Sequence, residues 1–178
     1  MAQNKQVMRG HLLDEVRRRG LAHGDRSLWG QPVWRAIAAG QEPQALMDAT
    51  TQQRRLLECA HGTPSPGDDQ CAGWVEAVFG RLGICNVSGN ARELCQSYCN
   101  RDRTSDLKVG MIIGVGAAPW SAQAQAHGHI GLYAGDAQVM DAVAAGIRTI
   151  DLELWMSTYG LMEQPRWGWL GSIDLSRL

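Results

Sequence analysis

Three residues of the types used in nucleophilic catalysis lie between positions 71 and 141 of this sequence. Cys71 follows a segment rich in turn formers, residues 61–69, and opens a stretch in which apolar residues recur at helical spacing as far as Gly83. A thiol at the start of a helix faces unpaired N–H groups and the positive end of the helix dipole, and both lower its pKa. Cys71 is therefore the candidate nucleophile.

A thiol nucleophile needs a base, and the base needs a group that orients it. His129 begins an apolar segment, His129–Ala134, that is typical of a strand, and Gln138–Val143 has the same texture. The Gly135-Asp136 pair between them predicts a tight hairpin. In that hairpin Asp141 lies roughly opposite His129, where its carboxylate can accept the imidazole N–H. The residues therefore predict a Cys–His–Asp triad.

The elements that must position these residues form an α+β pattern, with helices first and strands second. Residues 1–60 are predicted to be an N-terminal helical extension, and residues 61–178 the domain that carries the triad. In that domain we expect an antiparallel sheet packed against the helix that begins at Cys71. The other predicted elements are strands over Leu107–Val115 and Ile147–Ile150, a helix opened by Asn90 with Cys95 and Cys99 on one face, a helix from Asp151 to Tyr159, and an edge formed by Trp167-Gly168-Trp169.

Composition excludes several classes of function. The 178 residues include 17 Lys and Arg against 18 Asp and Glu, a net charge of −1, so no overall positive field attracts nucleic acid. The chain starts with polar residues and has no apolar run long enough for a signal peptide or a membrane span, so we expect synthesis in the cytoplasm. The five cysteines show no C-x-x-C spacing, which is unlike a common zinc knuckle or a closed disulfide framework.

Four blocks of the sequence resemble the successive motifs of NlpC-type papain-like cell-wall peptidases and the related CHAP amidases. The similarity extends from residue 61 to residue 170, and the blocks are residues 70–83, Leu107–Met111, Gly128–Gly135 and Val139–Ala142. The resemblance implies a papain-like core and hydrolysis of an amide bond in peptidoglycan, or in another peptide substrate, without a cofactor. It also implies Cys71 as nucleophile, His129 as general base, Asp141 as its orienting residue, and the amide of Cys71 as an oxyanion donor.

The sequence departs from the pattern of this family at several positions, and the resemblance implies that Ala72 lies where the family contacts substrate. Where the family usually has Asp-Cys-Ser, this chain has Gln70-Cys71-Ala72, and Val109-Gly110-Met111 replaces the usual Pro-Gly-Asp. Gln70 is a candidate second amide donor near the oxyanion. His127 and Trp120 are candidate residues of the substrate cleft. Together with the missing export signal, the resemblance leads us to expect a prophage lysin or a phage-tail-associated hydrolase that is released to the wall.

Two other classes of function stay open at this stage. A zinc-dependent cell-wall peptidase would use His61, Asp68 and His129, with His127 and His129 on the same face of one strand. A non-catalytic module of the same fold would hold a peptide or glycopeptide in the same cleft. The triad would also serve a transferase or deamidase acting on another amide.

Overall fold

The computed structural model describes residues 47–84 and 86–178, so most of the predicted N-terminal extension lies outside the described residues. The first described helix, α1 (Thr51–Gly62), crosses the predicted division between residues 60 and 61. Its buried side chains include Leu56 and Ala60, which pack towards the next helix. A capping box starts α1, because Thr50 and Gln53 each accept a backbone N–H of the other.

Helix α2 (Cys71–Leu82) begins and ends where the apolar spacing predicts. Its inner face buries large side chains, Trp74 and Phe79 among them, and burying each such group stabilises the fold by roughly 1.5–3 kcal/mol. The helix ends at Gly83, which has a φ of 73° and donates its N–H to the carbonyls of Phe79 and Gly80. Only glycine adopts that left-handed conformation without strain.

The remaining architecture is a five-stranded antiparallel sheet with strand order β4-β3-β2-β1-β5. Helix α2 packs against β2 and β3 in the middle of the sheet. Trp167 pairs with Ile113 at one edge, where the Trp-Gly-Trp segment is predicted to lie. The predicted α+β fold class, with an antiparallel sheet packed on the Cys71 helix, is confirmed. The strands are β1 (Ile112–Val115), β2 (His129–Gly135), β3 (Gln138–Val143), β4 (Gly146–Asp151) and β5 (Arg166–Gly168).

Strand β1 is shorter than the predicted strand Leu107–Val115 because a tight turn occupies its first half. Met111 donates its N–H to the carbonyl of Lys108 at 3.0 Å. Gly110, the third residue of that turn, has a φ of 86°, as a type II turn requires. The backbone therefore becomes extended only after the turn, at Ile112.

The hairpin of β2 and β3 forms as predicted, but its register differs. Its turn is Asp136-Ala137, with φ values of 47° and 55°, rather than Gly135-Asp136. A register shift follows between Tyr133 and Gly135, and Asp141 pairs with Gly131 instead of lying opposite His129. Alanine rarely adopts a positive φ, so the residue types do not reveal where this turn lies.

Three further helices complete the described fold. Asn90 opens helix α3 (Ala91–Tyr98) and Asp151 caps α5 (Leu152–Tyr159), both as predicted, and Glu93 completes a capping box with Asn90. Helix α4 (Ala122–His127) was not predicted, because its sequence AQAQAH has no apolar periodicity. Short 3-10 helices span Thr104–Asp106, Leu170–Ser172 and Leu175–Arg177. Within residues 47–84 and 86–178, no helix has the length and apolar character needed to cross a membrane.

Candidate functional site

Cys71 is the first residue of α2, and its side chain meets the start of β2. The residue is 8% exposed and lies at the mouth of a cleft. Burial alone would raise the pKa of the Cys71 thiol. The positive charge of His129, together with hydrogen bonds from His129 and the Ile130 backbone, has a larger effect in the opposite direction. The pKa of Cys71 therefore lies below the ordinary thiol value. The surroundings of Cys71 therefore favour a thiolate.

His129 is held between Cys71 and Asp141. Its Nε2 lies 2.8 Å from Oδ2 of Asp141, which leaves Nδ1 for the hydrogen bond with Cys71. Because Asp141 pairs with Gly131, His129 reaches it diagonally along the same face of the sheet. A Cβ on Gly131 would lie 3.1 Å from Cβ of Asp141, so the absent side chain keeps this diagonal path open.

Electrostatics make His129 more basic than an isolated imidazole. Burial lowers its pKa, but the charge of Cys71 and the hydrogen bond and charge of Asp141 outweigh burial and raise the pKa of His129 to about 9. The lowered pKa of Cys71 and the raised pKa of His129 together favour a thiolate–imidazolium pair at neutral pH.

Asp141 is fully buried and its two oxygens accept several N–H groups. Arg148 donates from Nε to Oδ1 at 2.7 Å and from Nη2 to Oδ2 at 2.9 Å, and Trp155 donates its indole N–H to Oδ2 at 2.9 Å. Burial raises the pKa of Asp141, but Arg148 and the hydrogen bonds from His129 and Arg148 hold it well below the ordinary range. Asp141 is therefore ionised.

Tyr159, the last residue of α5, covers the imidazole of His129. The two ring centroids are 4.0 Å apart and the planes differ by 17°. Its hydroxyl oxygen accepts a hydrogen bond from Nη2 of Arg148 at 2.5 Å. The stacked ring and the Asp141 hydrogen bond together fix both the plane and the rotation of the imidazole.

The site opens into a cleft of about 600 Å³. Cys71 and His129 line it, and so do the weaker candidates Gln70, Trp120 and His127. Gln70 is the N-cap residue of α2 but makes no side-chain hydrogen bond to the helix start. The structure thus brings the sequence-predicted residues of the thiol site together, with Cys71 and His129 on the cleft and the buried Asp141 bonded to His129.

The geometry expected for a zinc site is wrong. His127 is the last residue of α4 rather than part of a strand, so it does not share a strand face with His129. His61 is exposed in the last turn of α1, Asp68 is exposed in the following loop, and neither lines the cleft. In the described part of the chain, no three His, Cys, Asp or Glu side chains are grouped so as to hold a metal ion.

Three residues of the site were missed as site residues. The sequence pattern assigns no role in the site to Arg148, Tyr159 or Trp155, and Trp155 is also a core residue at 0% exposed. Arg148 pairs directly with Asp141 across β3 and β4. A symmetric hairpin about Ala144-Ala145 would have predicted that pair, because it places a carboxylate opposite a guanidinium.

A second group of thiols lies away from the cleft. Cys95 and Cys99 line a small pocket of about 70 Å³ together with Glu163. The hydrogen bond with Cys99 and burial both raise the pKa of Cys95 far above the ordinary thiol value. These thiols have no imidazole beside them in the described pocket.

Comparison with known proteins finds similarity only among solved structures, because no protein-family model and no curated protein matches the sequence. NlpC1 from Trichomonas vaginalis is 17% identical, over 59% of this chain and 40% of that chain, with a TM-score of 0.47. NlpC2 from the same organism is 18% identical, over 64% of this chain and 46% of that chain, with a TM-score of 0.46. The chain therefore spans less than half the length of either protein.

Proposed function

We propose that this protein is a cysteine hydrolase that cleaves an amide bond of peptidoglycan through an acyl-enzyme on Cys71. The observation that carries the proposal is the arrangement at the cleft: Cys71 at the start of α2 and His129 both line it, and Nε2 of His129 lies 2.8 Å from Oδ2 of Asp141. A nucleophile, a base and an orienting carboxylate in hydrogen-bonded series are the requirements for acyl transfer by a thiol.

The proposed reaction uses His129 twice. The Cys71 thiolate attacks the amide carbonyl, and the imidazolium of His129 gives its proton to the leaving amine as the C–N bond breaks. The neutral imidazole then takes a proton from water, which attacks the thioester and releases the acid and the Cys71 thiolate. Gln70 does not cap the start of α2 with its side chain, so the N–H groups there are the proposed donors to the oxyanion.

The size and lining of the cleft support a peptide-like substrate. A volume of about 600 Å³ is in the range of sites that hold small molecules or short peptides. Polar groups on both walls, Gln70 and Gln123 among them, can hydrogen-bond to amide groups. The assignment to peptidoglycan within this class of substrate rests on the four motif blocks that resemble cell-wall enzymes.

The experiment that tests the proposal is digestion of purified peptidoglycan followed by mass spectrometry of the released fragments. Wild type is expected to release fragments whose masses identify the bond, and Cys71→Ala and His129→Ala are expected to release none. Cys95→Ala is the matched control, because it removes a thiol of equal burial outside the cleft. A chelator should leave the activity intact.

Three results would overturn this assignment. Loss of wild-type activity in chelator would point to metal-dependent hydrolysis, and full activity of Cys71→Ala would exclude the thiol mechanism. Binding of wild type to the wall without any release of fragments would make the domain a binding module or an enzyme for a different amide.

We also propose a biological setting for this activity: the protein acts as a prophage lysin or a phage-tail-associated hydrolase that reaches the cell wall at lysis. Fractionation of native cells after prophage induction tests this setting. The protein is expected in the released or particle-bound fraction. Recovery from the cytosol alone, with no prophage or secretion genes beside its gene, would contradict the setting but not the chemistry.

A further inference from the structure

The most unusual group near the site is the guanidinium of Arg148, which is 1% exposed. A buried charge is tolerated only when it is paired and its hydrogen bonds are satisfied. Arg148 meets this condition with a two-point contact to Asp141, at 2.7 and 2.9 Å, and a further bond to the hydroxyl of Tyr159. The pair is therefore built into the core directly behind His129.

Asp141 consequently has two separable effects on His129. Its Oδ2 accepts the Nε2–H of His129 and so fixes the orientation of the imidazole. Its negative charge would also hold a proton on that imidazole, since opposite charges at hydrogen-bond distance stabilise each other strongly. The guanidinium of Arg148 faces both oxygens of the same carboxylate and offsets that charge.

We propose that Arg148 is a positioning residue, which balances the charge of Asp141 so that this carboxylate orients His129 without retaining the proton that the leaving amine needs. The effect of Arg148 on catalysis rests on the proposed function. Its effect on the pKa of His129 does not depend on the substrate. A general acid works best when its pKa is close to the working pH. Without Arg148, the carboxylate of Asp141 would raise the pKa of His129 away from that pH.

The charged and titratable groups around His129 come from several elements. They are Cys71 on α2, Asp141 on β3, Arg148 on β4 and Tyr159 on α5, with His127 of α4, Glu76 of α2 and Asp69 of the preceding loop on the cleft wall. Only Asp141 and Arg148 form a close ion pair behind the ring among the described residues. Removing one member changes the charge there, whereas removing both leaves it close to the original value.

The test is titration of the His129 imidazole by NMR in three variants, with no wall substrate present. Arg148→Met leaves the Asp141 charge unbalanced and is expected to raise the pKa of His129 by about 1 or more. Asp141→Asn leaves the Arg148 charge unbalanced and is expected to lower that pKa by about 1 or more. The double variant restores neutrality and should have a pKa of His129 closer to that of wild type than either single variant. Arg81→Met, at an arginine that bonds the carbonyl of Gly62, is the control.

Hydrolysis supplies the second readout. Arg148→Met is expected to lower kcat at least about tenfold with little change in KM, and the double variant to recover most of that loss relative to Asp141→Asn. A pKa of His129 that is unchanged or lowered in Arg148→Met overturns the inference. If Arg148→Met does not fold, a double variant no better than Asp141→Asn in both readouts overturns it. The pKa pattern without any wall hydrolysis would instead contradict the proposed substrate alone.

Discussion

Cys71 and Cys95 are each 8% exposed, yet the pKa of the first thiol is lowered and that of the second is raised. Cys71 starts a helix and meets the imidazole of His129, whereas Cys95 lies within α3 and meets another thiol, Cys99. Burial disfavours a thiolate in both places. The groups that face the sulfur, rather than its burial, thus separate a candidate nucleophile from a packing residue.

The two helices that carry these cysteines also start differently. Asn90 and Glu93 form a capping box at α3, but Gln70 makes no side-chain cap at α2. Unpaired N–H groups at a helix start usually cost stability, so leaving them uncapped is useful only where a ligand is to bind. Both helix starts line the cleft, Asn90 and Ala91 at α3 and Gln70 and Cys71 at α2, but only the start of α2 is left without a side-chain cap.

The largest expected effect is a difference in reactivity between these two thiols. Iodoacetamide at pH 7 should alkylate Cys71 at least about 1000 times faster than Cys95. The reaction needs a thiolate, and a thiol pKa that is higher by 1 lowers the thiolate fraction at pH 7 about tenfold. Peptide mass spectrometry of a time course measures both rates in one sample. Equal rates would show that the contrast in surroundings has no chemical consequence.

The second prediction concerns His129, the group that lowers the pKa of Cys71. The reactive thiolate–imidazolium pair exists above the lowered pKa of Cys71 and below the raised pKa of His129, about 9. Hydrolysis by wild type should therefore rise with pH well below the ordinary thiol range, hold through neutral pH, and fall again near pH 9.

In His129→Ala, burial of Cys71 is no longer opposed by the imidazolium. Its alkylation at pH 7 should slow by roughly 100-fold and recover only in alkaline solution. Labelling of Cys95 provides the internal reference, since the main causes of its raised pKa are the hydrogen bond with Cys99 and burial. An alkylation profile for Cys71 that is identical in the variant and in wild type would break the proposed link between these residues.

The local structure around Cys71 and the hairpin of His129 and Asp141 can be predicted from the amino-acid pattern. The turn-rich segment before Cys71 and the apolar spacing after it predict the helix start, and Gly135-Asp136 predicts the hairpin of His129 and Asp141. These signals are local, so a single stretch of chain suffices to read them. The position of Cys71 at the start of α2 follows from them, and so does the hairpin that carries His129 and Asp141, but not its register.

The parts that could not be predicted depend on register and on packing between distant segments. The Asp136-Ala137 turn and the register shift between Tyr133 and Gly135 together place Asp141 opposite Gly131, and no residue type there indicates either. Tyr159 reaches His129 only because α5 folds back over the sheet. The surroundings of Cys95, including Cys99 and Glu163, likewise combine α3 with a segment far along the chain.

The third prediction concerns packing at Cys95. A Cβ on Gly114 would lie 2.1 Å from the Cys95 sulfur, so Gly114→Ala should lower the free energy of unfolding by about 1–3 kcal/mol. Removing the sulfur in Gly114→Ala/Cys95→Ala should restore part of that loss, because the backbone oxygen of His129, 3.0 Å from the same Cβ, still crowds it. Urea unfolding of the four proteins gives the coupling. Strict additivity would show that Cys95 is not the group that requires glycine there.

The smallest expected effect compares the two helix starts directly. Asn90→Ala removes a side chain that accepts the N–H of Glu93 at 3.0 Å, and a lost N-cap costs about 1 kcal/mol of stability. Gln70→Ala removes a side chain that makes no such bond, so its free energy of unfolding should stay within about 0.5 kcal/mol of wild type. Urea unfolding with unchanged slopes measures both values. A loss at Gln70→Ala as large as that at Asn90→Ala would mean that Gln70 stabilises α2 after all, and that the N–H groups beside Cys71 are less available to an oxyanion than its uncapped start indicates.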